Sequence, residues 1–302
     1  METTSTLEHP TLTKSVDRSR VVGDLAELVK ARLTLLVLVT TAVGFYLGAP
    51  SDVAPLALLH AVLGTALAAA GAAALNQWWE RQLDALMDRT RTRPIPAGRM
   101  SPRDALILGS LLSVAGVTYL ALVCNWLSAS LAAATIFIYI LAYTPLKRLS
   151  TANTLVGAIP GALPPLIGWA AARGSLDWPA WTLFAILFCW QMPHFFAIAW
   201  MYREDYARAG FRMLSSRDTD GRRSGRQSVF FAALLVMASC LPALLGLSSR
   251  SFLAVEVILG LAFLALALRF HARRSVSRAR QLFIGSIVYL PLVLGLLVAT
   301  KL

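Results

Sequence analysis

The chain has 302 residues, 57% of them hydrophobic, and a mean hydropathy of +0.63; a soluble domain is about 45–50% apolar, so an ordinary soluble protein is excluded. The formal net charge at pH 7 is +12, which is typical of nucleic-acid binding, but the basic residues cluster beside apolar runs and exclude a nucleic-acid partner. Three cysteines without CxxC spacing exclude a disulfide framework and a cysteine metal cluster.

The first 24 residues are polar and carry the acids Glu2, Glu8 and Asp17 before any hydrophobic run. A cleaved signal peptide has a short apolar core, and a transit peptide avoids acids, so neither is expected here. We expect residues 1–24 to form a flexible cytoplasmic tail and residues 25–302 to form a single transmembrane domain.

Beyond this tail the apolar residues form runs of about 20 with almost no charge, which is the length that crosses a bilayer as a helix. They predict an all-α integral membrane protein with nine transmembrane helices, of which the last three are the hardest to delimit. The predicted spans are 28–48, 54–76, 104–123, 127–144, 153–172, 179–200, 228–248, 251–269 and 281–300.

The basic residues follow the predicted topology. All but three of the 28 lysines and arginines fall in the tail and in alternate loops, the exceptions being Arg173, Arg250 and Lys301. Because positively charged loops stay in the cytoplasm, we expect the N-terminus and these loops to be cytoplasmic. A bacterial inner membrane is the expected location, with a mitochondrial inner membrane as the alternative.

A row of polar residues follows the second span, in which Asn76, Glu80, Asp84 and Asp88 stand four residues apart. On a helix each such step turns the side chain by about 40°, so at least three of these groups share one face. Mg²⁺ prefers hard oxygen ligands and completes its shell with waters and substrate phosphate oxygens. The row predicts a magnesium-diphosphate site in the loop between spans two and three.

Four arginines come directly after this row: Arg89, Arg91, Arg93 and Arg99. Arginine binds phosphate oxygens through paired donors, so acids beside these arginines favour a diphosphate site. The alternative is a solvated loop with ion pairs at helical spacing. The length of the loop, and the position of Asn76 at the membrane boundary, favour the functional interpretation.

A basic hexamer, from Tyr143 to Arg148, follows the fourth span. Pro145 is expected to end the helix, which would turn Lys147 and Arg148 back across the cytoplasmic mouth. An ordinary positively charged membrane anchor explains the hexamer as well as a substrate contact does.

A second acidic segment follows the sixth span and holds Arg203, Glu204, Asp205 and Arg208. It lies on the same predicted side of the membrane as the first row. Opposed acids on one face of a bundle suit two metal ions that bridge a diphosphate. A charged helix end without function is the alternative.

Two histidines lie inside predicted spans. His194 follows Pro193 among aromatic residues, and neutral histidine is a common metal ligand, so haem iron is a natural partner; a hydrogen-bonded packing role is the alternative. His60, in the second span, has fewer neighbours that indicate function. The Gly- and Pro-rich run 157–169 in span five fits either a kinked helix beside a cavity or close packing of small residues.

Taken together, four segments resemble one known family, the UbiA-type intramembrane prenyltransferases, and within it the branch that farnesylates haem. The resemblance covers nearly everything from about residue 25 to 300, and it implies a bundle of nine transmembrane helices around a central cavity with capping loops on the cytoplasmic side. The four segments are Asn76 to Pro96, Tyr143 to Arg148, Trp190 to His194, and Tyr202 to Leu214.

The resemblance also implies a reaction, in which farnesyl diphosphate, haem b and water give haem O and diphosphate through addition at the haem 2-vinyl group. It implies Mg²⁺ as cofactor, with haem b and farnesyl diphosphate as substrates, membrane lipid as surroundings, and haem A synthase or oxidase assembly factors as protein partners. By position it assigns metal binding and catalysis to Asn76, Glu80, Asp84 and Asp205, diphosphate binding to Arg89, Arg93, Lys147, Arg148 and Arg203, with Lys147 also catalytic, and haem binding to His194.

This chain departs from the family pattern in its second motif, because the usual pair of aspartates four residues apart is incomplete. Asp205 is flanked at that spacing by Met201 and Ala209, although Glu204 offers a substitute carboxylate. Rival interpretations are prenylation of an aromatic quinone precursor by the same fold, and a haem-handling or transport protein without chemistry.

Overall fold

The computed structural model describes residues 18–50 and 52–302 of the chain. Within these residues nine helical stretches are long and apolar enough to cross a membrane, which confirms the predicted number and makes this a multi-pass membrane protein. They are Ala31–Gly48, Pro55–Asp84, Pro102–Cys124, Trp126–Leu149, Asn153–Arg173, Trp178–Met201, Arg222–Leu244, Arg250–Ala272 and Val276–Ala299.

Several of these stretches are composite, so the described chain contains more helices than spans. Residues 18–24 of the predicted tail belong to the first helix, and residues 1–17 lie outside the described residues. The α-helices are α1 (Arg18–Leu28), α2 (Ala31–Gly48), α3 (Pro55–Asp84), α4 (Pro102–Tyr119), α5 (Trp126–Phe137), α6 (Thr144–Leu149), α7 (Asn153–Ala162), α8 (Pro164–Arg173), α9 (Trp178–Met201), α10 (Arg203–Arg208), α11 (Leu214–Arg217), α12 (Arg222–Leu244), α13 (Arg250–Ala272) and α14 (Val276–Ala299), and π-helices cover Leu120–Cys124 and Ile138–Tyr143.

The predicted loop after residue 76 is wrong at its start. Helix α3 continues to Asp84, because the residues after Asn76 are compatible with a helix and contain neither glycine nor proline. Asn76, Glu80 and Asp84 are therefore helical residues, and the loop begins after Asp84. The helix carries its own hydrogen bonds beyond the apolar run, so hydropathy alone does not mark its end.

Helices α12 and α14 also begin earlier than their predicted spans. Gly221, with φ of 71°, precedes α12, and the Ser275 side chain caps α14 by accepting the Arg278 backbone N–H. Both are ordinary helix starts, and they place arginine-rich first turns on the helices instead of in loops.

The fifth span is broken rather than continuous. Helix α7 ends at Ala162 and α8 begins at Pro164, as expected where proline removes a backbone donor. Small residues also allow α8 to approach α2 closely, because a Cβ on Gly168 would stand 1.9 Å from the Thr41 carbonyl oxygen. The helix is therefore interrupted within the Gly/Pro run, and its small residues pack closely.

The helices close into a ring whose last member meets the first. Helix α2 packs on α3 and α8, α9 packs on α7, α12 and α14, and α14 also touches α2. At the far end of the chain the Lys301 ammonium donates to the carbonyl oxygens of Tyr46 at 2.7 Å and Ala49 at 2.9 Å. These contacts satisfy carbonyls at the end of α2 that lack helical partners.

We expect Gly168→Ala to destabilise the protein by about 1–3 kcal/mol, because the new methyl group would collide with rigid α2 backbone. Thermal unfolding in detergent measures the effect. Gly295→Ala is the matched control, since a Cβ at this helical position has nothing within 4 Å. Equal midpoints for the two variants would contradict the close approach of α2 and α8.

Candidate active site

The polar row on α3 lies at one end of the bundle, where the ends of α3, α6 and α9 meet; we call this end the mouth. Its three helical members are almost fully enclosed, with exposed fractions of 0% for Asn76, 4% for Glu80 and 1% for Asp84. Buried charges in low-dielectric surroundings are costly unless they are paired. The positions of the neighbouring cations therefore determine whether these buried charges are tolerated.

Two carboxylates of the row are each held by a cation from another segment. The Lys147 ammonium, on α6, donates to both oxygens of Glu80 at 2.7 and 3.0 Å. The Arg93 guanidinium, in the loop after α3, donates to Asp84 Oδ2 at 2.7 Å. Predicted acids and predicted diphosphate ligands are thus brought together in pairs.

Asn76 is held by a network that fixes which way its amide points. Its Oδ1 accepts from the Lys30 ammonium at 2.7 Å and from the Tyr139 hydroxyl at 3.1 Å. Its Nδ2 donates to Thr144 Oγ1 at 3.1 Å, and that hydroxyl donates to the Tyr139 carbonyl. The amide oxygen therefore faces the cation, as does each carboxylate of the row.

Lys30 joins α1 to α2 in a left-handed conformation, with φ of 50°, and it is the only non-glycine residue with positive φ in the described chain. Such backbone is uncommon and often found at functional sites. Burial, followed by the nearby cations Arg93 and Lys147, lowers the pKa of Lys30 to about 7. An anion bound at the mouth would favour its charged form.

Tyr139 and Tyr143 form an aromatic wall beside the row. They lie in the π-helix Ile138–Tyr143, their rings stack with centroids 5.6 Å apart, and the Lys147 ammonium lies 4.5 Å from the Tyr143 ring. π-helical turns are rare and frequently occur at functional sites. Here the turn presents two aromatic faces to the same cluster of charges.

The second acidic segment is joined to the loop after α3, which carries Asp88, rather than to the three helical members of the row. Arg208 pairs with both Asp205 and Asp88, the latter at 2.6 Å. Arg89 donates to the Tyr206 hydroxyl at 3.0 Å, and its guanidinium lies 4.9 Å from the Tyr202 ring. These contacts tie the loop to α10 across the mouth.

Other predicted ligands are not brought to the three buried members of the row. Arg148 is exposed and has no ion pair within the described residues. Arg203 packs on the Trp200 ring and pairs at 3.8 Å with Glu204, which is exposed. Arg91 pairs with Asp88, and Arg99 pairs with Asp24 and Glu27 on α1.

His194 lies partly buried on α9 in an aromatic pocket, with the Phe283 ring 4.9 Å and the Trp190 ring 5.3 Å away. Its Nδ1 lies 2.7 Å from Ser286 Oγ, whose own proton is donated to the Phe283 carbonyl. The serine oxygen must therefore accept from Nδ1–H, which leaves the lone pair of His194 on Nε2. In this tautomer the Nε2 atom can act as a metal ligand.

His60 is placed differently. Its Nδ1 lies 2.6 Å from the Tyr119 hydroxyl between α3 and α4, near the end of the bundle opposite the mouth. This hydrogen bond indicates that His60 has a packing role. Of the two candidates, only His194 combines an aromatic pocket with an oriented ring.

The donor set suits a hard cation that is shared with a substrate. Within the described residues no three His, Cys, Asp or Glu side chains converge on one point. Mg²⁺ is commonly held by one or two carboxylates together with phosphate oxygens, so the amide and carboxylate oxygens of the row fit it. They do not fit a closed, all-protein metal centre.

Sequence reasoning did not assign roles to Lys30, Tyr139, Tyr143 or Thr144. Basic residues are expected near the first span for reasons of topology, so Lys30 did not stand out. It lies 46 residues from Asn76 in the sequence, and no local pattern links the two. Tyr143 was detectable, because it stands four residues before Lys147 on one helical face. Tyr139 is another four residues earlier and extends the same pattern.

Comparison with known proteins defines the class. The model of the UbiA prenyltransferase family matches residues 37–292. The chain belongs to this family and is therefore a membrane-embedded transferase.

Two relatives are similar to this chain over most of its length. The protoheme IX farnesyltransferase of Solibacter usitatus (strain Ellin6076) is 48% identical, over 92% of this chain and 98% of its own length. That of Opitutus terrae (strain DSM 11246 / JCM 15787 / PB90-1) is 45% identical, over 93% and 95%.

Solved structures support the fold. A digeranylgeranylglyceryl phosphate synthase matches with a TM-score of 0.79 at 16% identity, over 93% of this chain and 98% of that one. A UbiA homolog from Archaeoglobus fulgidus, bound to DMAPP and Mg²⁺, matches with a TM-score of 0.66 at 17% identity, over 90% and 99%.

We expect Lys147→Met to destabilise the protein by about 3–5 kcal/mol, because it leaves Glu80 as a buried, unpaired charge. Thermal unfolding measures the loss, and Glu80→Gln in the same chain should recover part of it. Arg148→Met is the matched control, since the exposed neighbour has no ion pair in the described chain. Identical midpoints for Lys147→Met and the control would contradict the buried pair.

Proposed function

We propose that this protein transfers the farnesyl group of farnesyl diphosphate to the 2-vinyl group of haem b. One water is also consumed, so that haem O, which carries a hydroxyethylfarnesyl chain, and diphosphate are the products. The names of the relatives that are 48% and 45% identical support the substrate pair. The observation that carries the proposal is the burial of Asn76, Glu80 and Asp84, each of which faces its own cation.

The row fits the work of holding a diphosphate with Mg²⁺. Asn76, Glu80 and Asp84 would bind the metal, with Asp205 contributing from α10. When bound, Mg²⁺ neutralises negative charge on the departing diphosphate. The Archaeoglobus relative that was solved with a prenyl diphosphate and Mg²⁺ shares the fold.

When the acids of the row bind the metal, the cations that pair with them become free to bind the diphosphate. Lys147, Arg93 and Lys30 already lie 2.7 Å from the oxygens of the row, so a small side-chain movement turns them toward phosphate oxygens. Fixed cations in surroundings of low dielectric stabilise developing charge strongly. These three residues would therefore assist cleavage of the allylic C–O bond, with Arg89 at the rim.

The allylic cation that this cleavage creates must be shielded from water and directed to the vinyl group. The stacked rings of Tyr139 and Tyr143 offer faces that stabilise positive charge. The vinyl group then attacks the farnesyl carbon, and water quenches the resulting cation beside the porphyrin. The enclosing helices keep other water away from the first step.

Haem b would be held through its iron at His194. The Ser286 hydroxyl accepts from Nδ1 and thereby leaves Nε2 available, and a hydrogen bond at the second ring nitrogen is typical of ligating histidines. The rings of Trp190 and Phe283 flank this position and suit a flat porphyrin.

We also propose that the mouth faces the cytoplasm of a bacterial cell and that the bundle lies in the inner membrane. The concentration of lysine and arginine at the mouth side supports this orientation. Residues 25–302 would then act as one transferase domain.

We expect Asp84→Ala to lower haem O formation by at least about 100-fold, since one group that stabilises the transition state contributes this much. The assay supplies haem and farnesyl diphosphate to membranes and identifies the extracted haem by mass. Asp104→Ala, at an exposed acid at the start of α4, is the control for the loss of a carboxylate. Near-normal turnover by Asp84→Ala would contradict a role of the row in haem O formation.

We expect His194→Ala to abolish the spectral change that accompanies haem binding while leaving the Mg²⁺-dependent binding of pyrophosphate intact. The physical reason is that the iron loses its ligand and the mouth is unchanged. His60→Ala is the matched control and should bind haem normally. Loss of haem binding in His60→Ala alone would reassign the ligand, and turnover of a quinone precursor by the wild type would favour the rival acceptor.

A further inference from the structure

A cluster of arginines lies on the ends of α12, α13 and α14, on the mouth side of the bundle, and takes no part in the site described above. We call it the arginine crown. Its members are Arg222, Arg223, Arg226, Arg269, Arg273, Arg274, Arg278 and Arg280.

Acidic residues do not balance the crown. After Tyr206 the sequence holds only Asp218, Asp220 and Glu256, and Glu256 is buried near the opposite end of α13. Asp218 is committed to α12, since it accepts the backbone N–H groups of Arg223 and Ser224 at 3.1 and 2.6 Å. Asp220 pairs with Arg222 at 3.0 Å.

Seven arginines of the crown therefore have no carboxylate partner within the described residues. Such a concentration of like charge is self-repulsive and attracts anions. The first turns of α12 and α14 add the partial positive charge of helix N-termini to the same region.

The crown borders two open cavities. A cavity of about 560 Å³ is lined by Arg222, Arg223, Arg226, Arg274 and His271, together with the two aspartates. A neighbouring cavity of about 420 Å³ is lined by Arg269, Arg273, Arg278 and Ala272. The Nδ1 atom of His271 is buried, packs beside Gly225 and has no hydrogen-bond partner.

Apolar side chains next to the crown indicate that the anion is the head group of a lipid. Phe230 follows Arg226 by one helical turn and is 54% exposed, and Ile284 follows Arg280 in the same way and is 52% exposed. Residues four apart lie on one helix face, so these arginines stand above surfaces that meet acyl chains. A free phosphate would make no use of those surfaces.

We propose that the larger cavity of the arginine crown, between the ends of α12 and α13, binds the phosphate of an anionic phospholipid, whose acyl chains lie along Phe230. Basic pockets between transmembrane helices on the cytoplasmic side are suited to such head groups. The bound lipid would neutralise this part of the crown and hold the ends of α12 and α13 together.

The test uses the full-length protein in vesicles of phosphatidylcholine alone or with an equal amount of phosphatidylglycerol. We expect phosphatidylglycerol to raise the unfolding midpoint and to stay bound in native mass spectrometry. Arg226→Gln with Arg274→Gln should weaken its binding about fivefold for each arginine removed. Arg250→Gln, an exposed arginine at the opposite end of α13, should keep the full effect.

Three results would overturn the proposal. One is an unfolding midpoint that does not depend on phosphatidylglycerol, which would leave the crown as a topology signal alone. Another is retention of the effect in the double Gln variant. The last is equal stabilisation by inorganic phosphate in phosphatidylcholine vesicles, which would mark a site for a soluble anion. If the Gln variant fails to fold, Arg226→Lys with Arg274→Lys keeps the charge and must keep the lipid effect.

Discussion

The neutralisation of buried charge at the mouth is the constraint on which the rest of the structure depends. Glu80 and Asp84 are less than 5% exposed, and carboxylates so enclosed are tolerated only with cations against them. Lys147 and Arg93 meet this need at 2.7 Å. Under the proposed function, the same cations would also bind the diphosphate.

These cations come from distant parts of the chain, and this explains why the fold and the site cannot be separated. Lys30 precedes the first span, Arg93 follows the second, and Lys147 ends the fourth. The π-helix Ile138–Tyr143 is a local departure from regular geometry directly before α6, which carries Lys147.

The sequence predicted the features that depend on composition and short-range period, and missed those that depend on tertiary contact. Nine spans followed from hydropathy, and the face shared by Asn76, Glu80 and Asp84 followed from their spacing. The end of α3 was misplaced, because hydropathy stops before the helix does. Lys30 and Tyr139 acquire their roles only from partners 46 and 63 residues away, which no local pattern records. The resemblance to the family, in contrast, was carried by motifs and was confirmed.

The contact between Lys301 and the end of α2 has a consequence for biosynthesis. The carbonyl oxygens of Tyr46 and Ala49 are satisfied by a residue that is translated more than two hundred positions later. Until that residue has been synthesised and the ninth helix has entered the bilayer, α2 lacks its closing partner and the ring stays open on one flank. The wall between α2 and α14 can therefore close only after the last helix has been synthesised.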